Sequence, residues 1–522
     1  MPHQSANEIY DAIVIGSGFG GSMVAHSLVH AGLNVLMLER GDWVPRSPQN
    51  WEPNGTVYFT PFYTDETPYH VLTSGASDVM GAYSCVGGPS VFYGGVSMRF
   101  READFDASPE IVGTSDARWP YSYADLEPYY TRAEQILDVA GEVGRDPTEP
   151  ARSAPYPQAL DKLSYTSRLI EQAATDLRLN PFRLALAINY SADGNRPRCI
   201  SCITCDTFAC AIQAKNDLAT CVLPNLIEKG LHLKPNMVVT RLVRDGNRLV
   251  SLECYDKQTD EKHHYRAQLF ILSAGALGSP HLLLASELNR VNPGGHTIGR
   301  YLMRHCSAIV FGFFPSRPNK AEQFHKQIGI HDFYFGHPNI KSPNGKLGSI
   351  QQLQTPPVGL VKKALPTPLG HILSIGVKHL TGLLVMAEDK PQYKNRVSIQ
   401  RRRMDRFGLP QLLVTHGYAN RDSAARDALI QSAKQIFRKA GAWFSYVHKI
   451  NTFSHAVGTV RMGNTPHVSA LGRYCQFRGV SNLYVVDGSF MPTSAGLNPS
   501  LTIAANALRV GDHITGISSD TT

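Results

Sequence analysis

Three glycines near the start of the chain have the spacing of a phosphate cradle. Gly16, Gly18 and Gly21 stand at G-x-G-x-x-G after the apolar run 12–15. A helical pattern over 23–30, with Val24, Leu28 and Val29 on one side, follows them. In that order Gly16 permits a tight turn and Gly18 lets the backbone approach a pyrophosphate. Gly21 lets the helix pack close to the sheet, and the helix N-terminus faces the phosphate charge. A second apolar run, 35–38, ends in Glu39, where a carboxylate can accept hydrogen bonds from a ribose diol. The same carboxylate repels a 2′-phosphate, so NADP is disfavoured. Strand, glycines, helix, strand and acid in sequence predict a dinucleotide site.

A second set of reactive residues is cysteine. Cys199, Cys202, Cys205 and Cys210 form C-x-x-C-x-x-C-x4-C, with Cys221 eleven residues on. Such spacing could hold an iron–sulfur cluster or a zinc ion. Ala211 stands where ferredoxin-type runs carry proline, and no second C-x-x-C or histidine pair follows. The preferred reading is a loop of small buried cysteines beside a cofactor, with no metal. A zinc ion or an iron–sulfur cluster is the alternative.

The elements that must position these groups can be read around them. Residues 41–77 have no clean periodicity and read as a long irregular connection. Between Cys85 and Gly95, four glycines (Gly87, Gly88, Gly94, Gly95) surround Val91, Phe92 and Tyr93, which predicts a loop that passes close to a cofactor. Ser122 starts a helix running through Ala133, Ile136 and Leu137, and 163–177 has a second helical pattern. Short strands are expected at 231–233 and 238–239. The run 270–276 is a buried strand leading to glycine, with a helix from Ser279. From about Gly299 to Ala440 the character changes. Alternation over 395–399 and an apolar run over 309–314 predict an antiparallel sheet with one covered face. The stretch 358–386, rich in Leu, Ile and Val with Lys362, Lys363 and Lys378, reads as a helix lying on the core rather than a membrane-touching surface. Near the C-terminus, 483–486 is a buried strand with Asp487 at its carboxyl end, where an α/β sheet meets its ligand. A helix follows over 502–510.

Composition bounds the reading. The chain has 522 residues, 43% hydrophobic and 18% charged, which is globular and long enough for two domains. Its net charge of +8 is a mild excess without long basic blocks, so nucleic acid is not an expected partner. There is no run of eighteen apolar residues and no basic–apolar leader pattern, so neither a spanning helix nor a secretory signal is expected. A cytoplasmic protein whose nine cysteines are mostly thiols is the expectation.

Taken together, these segments resemble the glucose–methanol–choline (GMC) family of flavin oxidoreductases over nearly the full length. The resemblance rests on the 16–21 glycine motif, Gly87-Gly88-Pro89-Ser90, Ser273-Ala274-Gly275-Ala276-Leu277-Gly278-Ser279-Pro280 and Gly299-Arg300. It rests also on the blocks His455-Ala456-Val457-Gly458-Thr459-Val460-Arg461-Met462-Gly463 and Gly496-Leu497-Asn498-Pro499-Ser500. It implies an α/β fold, a discontinuous Rossmann-like FAD-binding domain with an inserted antiparallel substrate domain. Residues 1–298 and 446–522 would form the first, with connecting and cap elements at 41–200, and 299–445 the second.

The resemblance implies noncovalent FAD, since no histidine occurs between Val71 and Asp104 to tether it. Gly16, Gly18, Phe19, Gly20, Gly21, Glu39 and Arg40 would hold its ADP half, with a backbone contact from Val239. Gly87, Gly88, Ser90, Tyr93, Gly94 and Gly95 would pass near the isoalloxazine. Ala274, Gly275, Ser279, Asp487, Gly488, Asn498, Pro499 and Ser500 would complete the site. The catalytic pair would be His455 as base and Asn498 as holder of the substrate oxygen, with Arg461 and Met462 in packing roles. A neutral imidazole suits removal of an alcohol proton while flavin N5 takes the hydride. The implied activity is oxidation of a CH–OH group on a sugar, glycoside, sterol or other alcohol, with a lean towards carbohydrate. Oxygen or another acceptor would reoxidise the flavin, and a partner redox subunit or a homo-oligomer is compatible. The other readings are an electron-transfer flavoprotein with a cysteine-bound cluster, a flavoprotein isomerase or lyase, and an NAD-dependent reductase.

Overall fold

The computed structural model describes residues 9–73, 76–192, 194, 196–338, 347–364, 374 and 376–516. The first apolar run forms strand Ile9–Ile15, buried on both faces from Ala12 onward. It pairs in parallel with Val35–Leu38 on one side and with Glu261–Leu272 on the other. The sheet has seven strands, extended on one flank by His232–Lys234 and on the other by the antiparallel pair Arg248–Asp256 and Met237–Asp245. Leu483–Val485 joins in parallel on the far half of Glu261–Leu272. That twelve-residue strand therefore serves three neighbours along its length. Helix Phe19–His30 lies against the C-terminal helix Ser500–Thr515. Their contact is close because Gly511 faces Ser27: a Cβ there would stand 2.5 Å from the Ser27 Cβ.

A second sheet of six antiparallel strands runs Phe444–Lys449, Cys306–Phe313, Leu380–Ala387, Gly348–Leu353, Ile328–Ile330 and Phe182–Arg183. Strand alternation gives it two different faces. Cys306, Ala308, Val310, Leu383 and Val385 turn to helix Asn420–Lys439, which answers with Ala425, Leu429, Ala433 and Phe437 at helical spacing. Ser307, Ile309, Leu384 and Met386 turn the other way and line a cavity. The Rossmann-like sheet and the inserted antiparallel sheet are as the sequence predicts.

Two expectations need correction. The 41–77 stretch is not wholly irregular: Tyr63–Thr73 pairs with Ala76–Tyr83, and the hairpin joins Pro410–Thr415 and Arg396–Met404 in a four-stranded sheet. Its parallel partner lies more than three hundred residues away (Leu413 opposite His70), which local pattern cannot reveal. The 358–386 stretch is not one helix. Val358–Ala364 is helical, 365–373 and 375 fall outside the described residues, and Leu380–Ala387 is a central strand. Flanked on both sides, that strand needs no polar face, so its apolar run carried no period to distinguish it from a buried helix.

Candidate active site

The strand Ile9–Ile15 ends at one wall of a cavity of about 1110 Å³. The turn there has to be glycine: Gly16 has φ +98°, and a Cβ would sit 2.3 Å from the Ser273 carbonyl oxygen. Gly21 packs so closely on the Gly16 carbonyl that a Cβ would approach it to 1.9 Å. Gly16, Gly18, Phe19 and Gly20 line the cavity, while Gly21 stands behind them. Glu39 and Arg40 line it from the end of the second strand, and Val239 from Met237–Asp245. The Glu39 carboxylate accepts from the Ser17 N–H at 2.9 Å, the Ser17 hydroxyl at 2.6 Å and the Gly41 N–H at 2.9 Å. Burial raises its pKa, against the pull of those hydrogen bonds.

The glycine-rich loop is tied to this turn, for the Gly87 N–H donates to the Ser17 hydroxyl at 2.9 Å. Gly88, Tyr93 and Gly94 line the cavity; Gly87, Ser90 and Gly95 do not. The Ser90 hydroxyl is spent inside the protein, donating to the Gly87 carbonyl at 2.7 Å and accepting from the Leu218 N–H at 3.1 Å. Ala274, Gly275, Asp487 and Gly488 line the cavity beside the Gly16–Gly20 turn. Ser279 stands behind, its hydroxyl bonded to the Asp487 carboxylate and accepting from the Ala274 N–H. Burial raises the Asp487 pKa, opposed by hydrogen bonds from Ser279 and Ser489.

His455 and Asn498 reach the same cavity, with Pro499 and Ser500 at the entry of the C-terminal helix. The chain after His455 is pinned by backbone bonds: Val457 N–H to Met303, Gly458 N–H to Gly488 and Val460 N–H to Ser489. His455 Nδ1 lies 3.1 Å from His305 Nδ1, and the rings meet edge-on at 82°. Burial lowers the His455 pKa to about 3, and the neighbouring His305 ring and the Lys326 ammonium add to the effect. Asn498 Oδ1 accepts from Gln351 Nε2 at 2.9 Å. The sequence reading missed His305 and Gln351. His305 follows Arg304 just ahead of an apolar strand and Gln351 sits in the polar-rich run 349–354, patterns no motif marks; only the nearness of His305 to Gly299-Arg300 was a signal. It also missed the ion pair Lys326–Asp206 at 3.0 Å, both members of which line the cavity.

Arg461 and Met462 are buried away from the cavity wall, the Arg461 guanidinium 3.8 Å from the centre of the Tyr301 ring. Cys199, Cys202, Cys205 and Cys210 are free and part-exposed. Cys199 Sγ accepts from the Ser201 N–H at 3.4 Å, and burial pushes its thiol up to about 12. Among the described residues no group of three or more His, Cys, Asp or Glu is placed to hold a metal ion. No helix among them is long and apolar enough to cross a membrane.

The GMC oxidoreductase family model matches residues 10–307 in its N-terminal part and 391–507 in its C-terminal part. Paromamine 6'-oxidase of Streptomyces fradiae is 31% identical, over 98% of this chain and 92% of its own length. The fructose dehydrogenase large subunit of Gluconobacter japonicus is 28% identical, over 97% of each chain. A formate oxidase of Aspergillus oryzae RIB40 shares the fold, with a TM-score of 0.70 at 13% identity over 99% of this chain and 100% of the other. This chain therefore belongs to the GMC oxidoreductases, a family of FAD-dependent enzymes. The residues present fit that cofactor. An added Cβ at Gly18 or Gly275 would meet nothing within 4 Å, so both backbones border open space beside the Glu39 and Asp487 carboxylates.

Proposed function

We propose that the enzyme oxidises a CH–OH group of a sugar, glycoside or other alcohol, with His455 as base and Asn498 holding the substrate oxygen. The observation that carries this reading is the shared cavity: His455 and Asn498 line the same space as Gly18, Glu39 and Asp487. When bound, FAD supplies the hydride acceptor, flavin N5. The ADP half would rest on Gly16, Gly18, Phe19, Gly20, Glu39, Arg40 and Val239, with Gly21 packed behind, and the ring system near Gly88, Tyr93 and Gly94. Burial keeps His455 neutral at pH 7, with a lone pair free to take the hydroxyl proton. Its low basicity is met as the C–H bond breaks, because the O–H is then that of a protonated carbonyl and a strong acid. The Asn498 amide would donate to the same oxygen and fix the carbon for transfer.

The lining joins several polar groups to a larger apolar surface, which suits the hydroxyls and the apolar face of a sugar ring. Asp206, Lys326, His70, Gln411 and Asn451 all face the cavity and can meet several hydroxyls. Two relatives are named for paromamine and fructose, which agrees with that choice. Residues 299–445 would form the substrate domain, and 1–298 with 446–522 the FAD domain. The terminal acceptor would be oxygen or a partner redox subunit, and nine free cysteines agree with a cytoplasmic protein. The test is anaerobic: purified holoenzyme is mixed with sugars, glycosides and alcohols while the flavin bands are followed. Bleaching by one class is expected. In His455→Ala the bands persist but bleach about 10²–10⁴-fold more slowly. Flavin that no CH–OH donor reduces would overturn the reading.

A further inference from the structure

His305 occupies a costly position. Its φ is +62°, left-handed for a side chain with a Cβ, and Ala495 on the opposite side of the contact has φ +53°. Two adjacent carboxylates hold this arrangement. Asp389 accepts from the Arg304 N–H at 2.9 Å, the His305 N–H at 3.1 Å and the Ser494 hydroxyl at 2.9 Å. Glu388 accepts from the Ala495 N–H at 3.2 Å. The result is that His305 Nε2 lies 3.0 Å from the Ser494 carbonyl oxygen while its Nδ1 lies 3.1 Å from His455 Nδ1.

These contacts leave one assignment of protons. A carbonyl only accepts, so His305 Nε2 carries a hydrogen and donates it. Burial lowers the His305 pKa, with the Asp389 charge opposing, so the ring is neutral and its Nδ1 is a bare lone pair. His455 Nδ1 must then be the donor of the 3.1 Å contact. A neutral imidazole has a single N–H, so its Nε2 is the acceptor. We infer that His305 is a positioning residue: relaying the polarity of the Ser494 carbonyl, it holds His455 in the Nδ1–H tautomer that leaves Nε2 to take the substrate proton. This rests on the proposed alcohol oxidation. In that step the hydroxyl proton passes to His455 Nε2, Nδ1–H stays bonded to His305, and the hydride leaves carbon. The new imidazolium faces the His305 lone pair, with Asp389 behind it. The other charged or titratable groups near His305 are Arg304, His416, Glu388, Lys326 and Tyr418.

The test reads the tautomer directly, by long-range 15N–1H correlation on holoenzyme labelled at histidine, with the His455→Asn spectrum assigning the signal. Wild type is expected to show His455 as Nδ1–H. His305→Met, which cannot accept, should lose that tautomer and slow flavin reduction about 10²–10⁴-fold, as a wrong tautomer does in other histidine bases. His305→Gln, whose carbonyl can accept from Nδ1, should restore the tautomer and bring the rate within about tenfold of wild type. An Nε2–H signal for His455 in wild type would overturn the inference even with active enzyme. So would an unchanged signal in His305→Met, with flavin absorbance reporting an intact fold. If His305→Met does not fold, the wild-type and His305→Gln spectra decide. Correct tautomers with a flavin that no alcohol bleaches would sink the proposed function and leave the positioning intact.

Discussion

At the Gly16–Arg40 end of the cavity the wall is mostly backbone drawn from one run of sequence. At the His455 end it is side chains from well-separated segments, His305, His455 and Asn498, with Gln351 bonded to Asn498 from behind the wall. On the proposed reading the first end would recognise something common to many proteins, a pyrophosphate and a ribose, with turns and a helix N-terminus. The second would give two atoms opposite hydrogen-bonding roles, by spending buried partners on the atoms turned away from the substrate. At Gly16, Gly20 and Gly21 an added Cβ would come within 2.4 Å of a backbone oxygen, whereas a side-chain site degrades by degrees. The two ends should therefore break differently.

The largest effect belongs to the backbone end. Gly16→Ala puts a Cβ 2.3 Å from the Ser273 carbonyl at φ +98°, with no flexible atom to yield. Strain of about 1–3 kcal/mol adds to the displacement of the strand end. The protein should emerge colourless or unfolded, checked by the flavin-to-protein absorbance ratio. A yellow Gly16→Ala protein with normal melting would break the comparison.

At the other end loss should be graded. If Asn498 holds the substrate oxygen as proposed, Asn498→Ala should lower kcat about 10²-fold or more, with flavin content unchanged. Gln351→Leu leaves Asn498 in place but frees its amide to rotate, and should cost about tenfold, near the worth of one hydrogen bond. Rapid-mixing flavin reduction measures both. Equal losses in the two variants would mean that Gln351 does more than orient Asn498.

Why one end was legible and the other was not follows from the same contrast. Gly16, Gly18, Gly21 and Glu39 are near neighbours in sequence, so their spacing is their geometry. His455 and Asn498 were legible only through motifs around them. His305 meets His455 across 150 residues and Gln351 meets Asn498 across 147, by tertiary packing rather than by spacing. Strands failed the same way: Ile9–Ile15 was readable, whereas Tyr63–Thr73 depends on Pro410–Thr415. Ser90 and Ser279 sit in legible blocks but turn their hydroxyls to neighbouring protein atoms, because a motif marks a place in the fold and not which side chains face the ligand.

Acid should separate the two ends by sign. The His455 pKa falls from 6.5 unfolded to about 3 folded, so between those values the unfolded chain binds the extra proton and stability falls as pH drops. Glu39 and Asp487 are raised instead, so the folded state holds extra protons and stability is lost as pH rises through their folded values. Replacing His455 by Gln removes the first contribution alone. Relative to wild type, His455→Gln should gain about 2–3 kcal/mol between pH 7 and pH 4.5, read by denaturant titration at each pH. No relative gain would mean that His455 charges freely in the fold.

The smallest effect is expected at the cysteines, and it tests whether the cavity has a third functional region. Cys202 is part-exposed, and its sulfur does no more than accept weakly from the Thr204 hydroxyl at 3.5 Å. A thiol in that setting is a small side chain at a loop surface. Cys202→Ser should change stability by about 0.5 kcal/mol or less and leave flavin reduction within about twofold. A cluster ligand behaves otherwise: losing one thiolate of four releases metal and strips a visible band. Iron and sulfide content of wild type and Cys202→Ser, measured with the melting curves, therefore separate a cysteine loop from a redox relay. Iron present in wild type and lost in the variant would add an electron exit between flavin and a partner, and the two-ended cavity would become a three-part path.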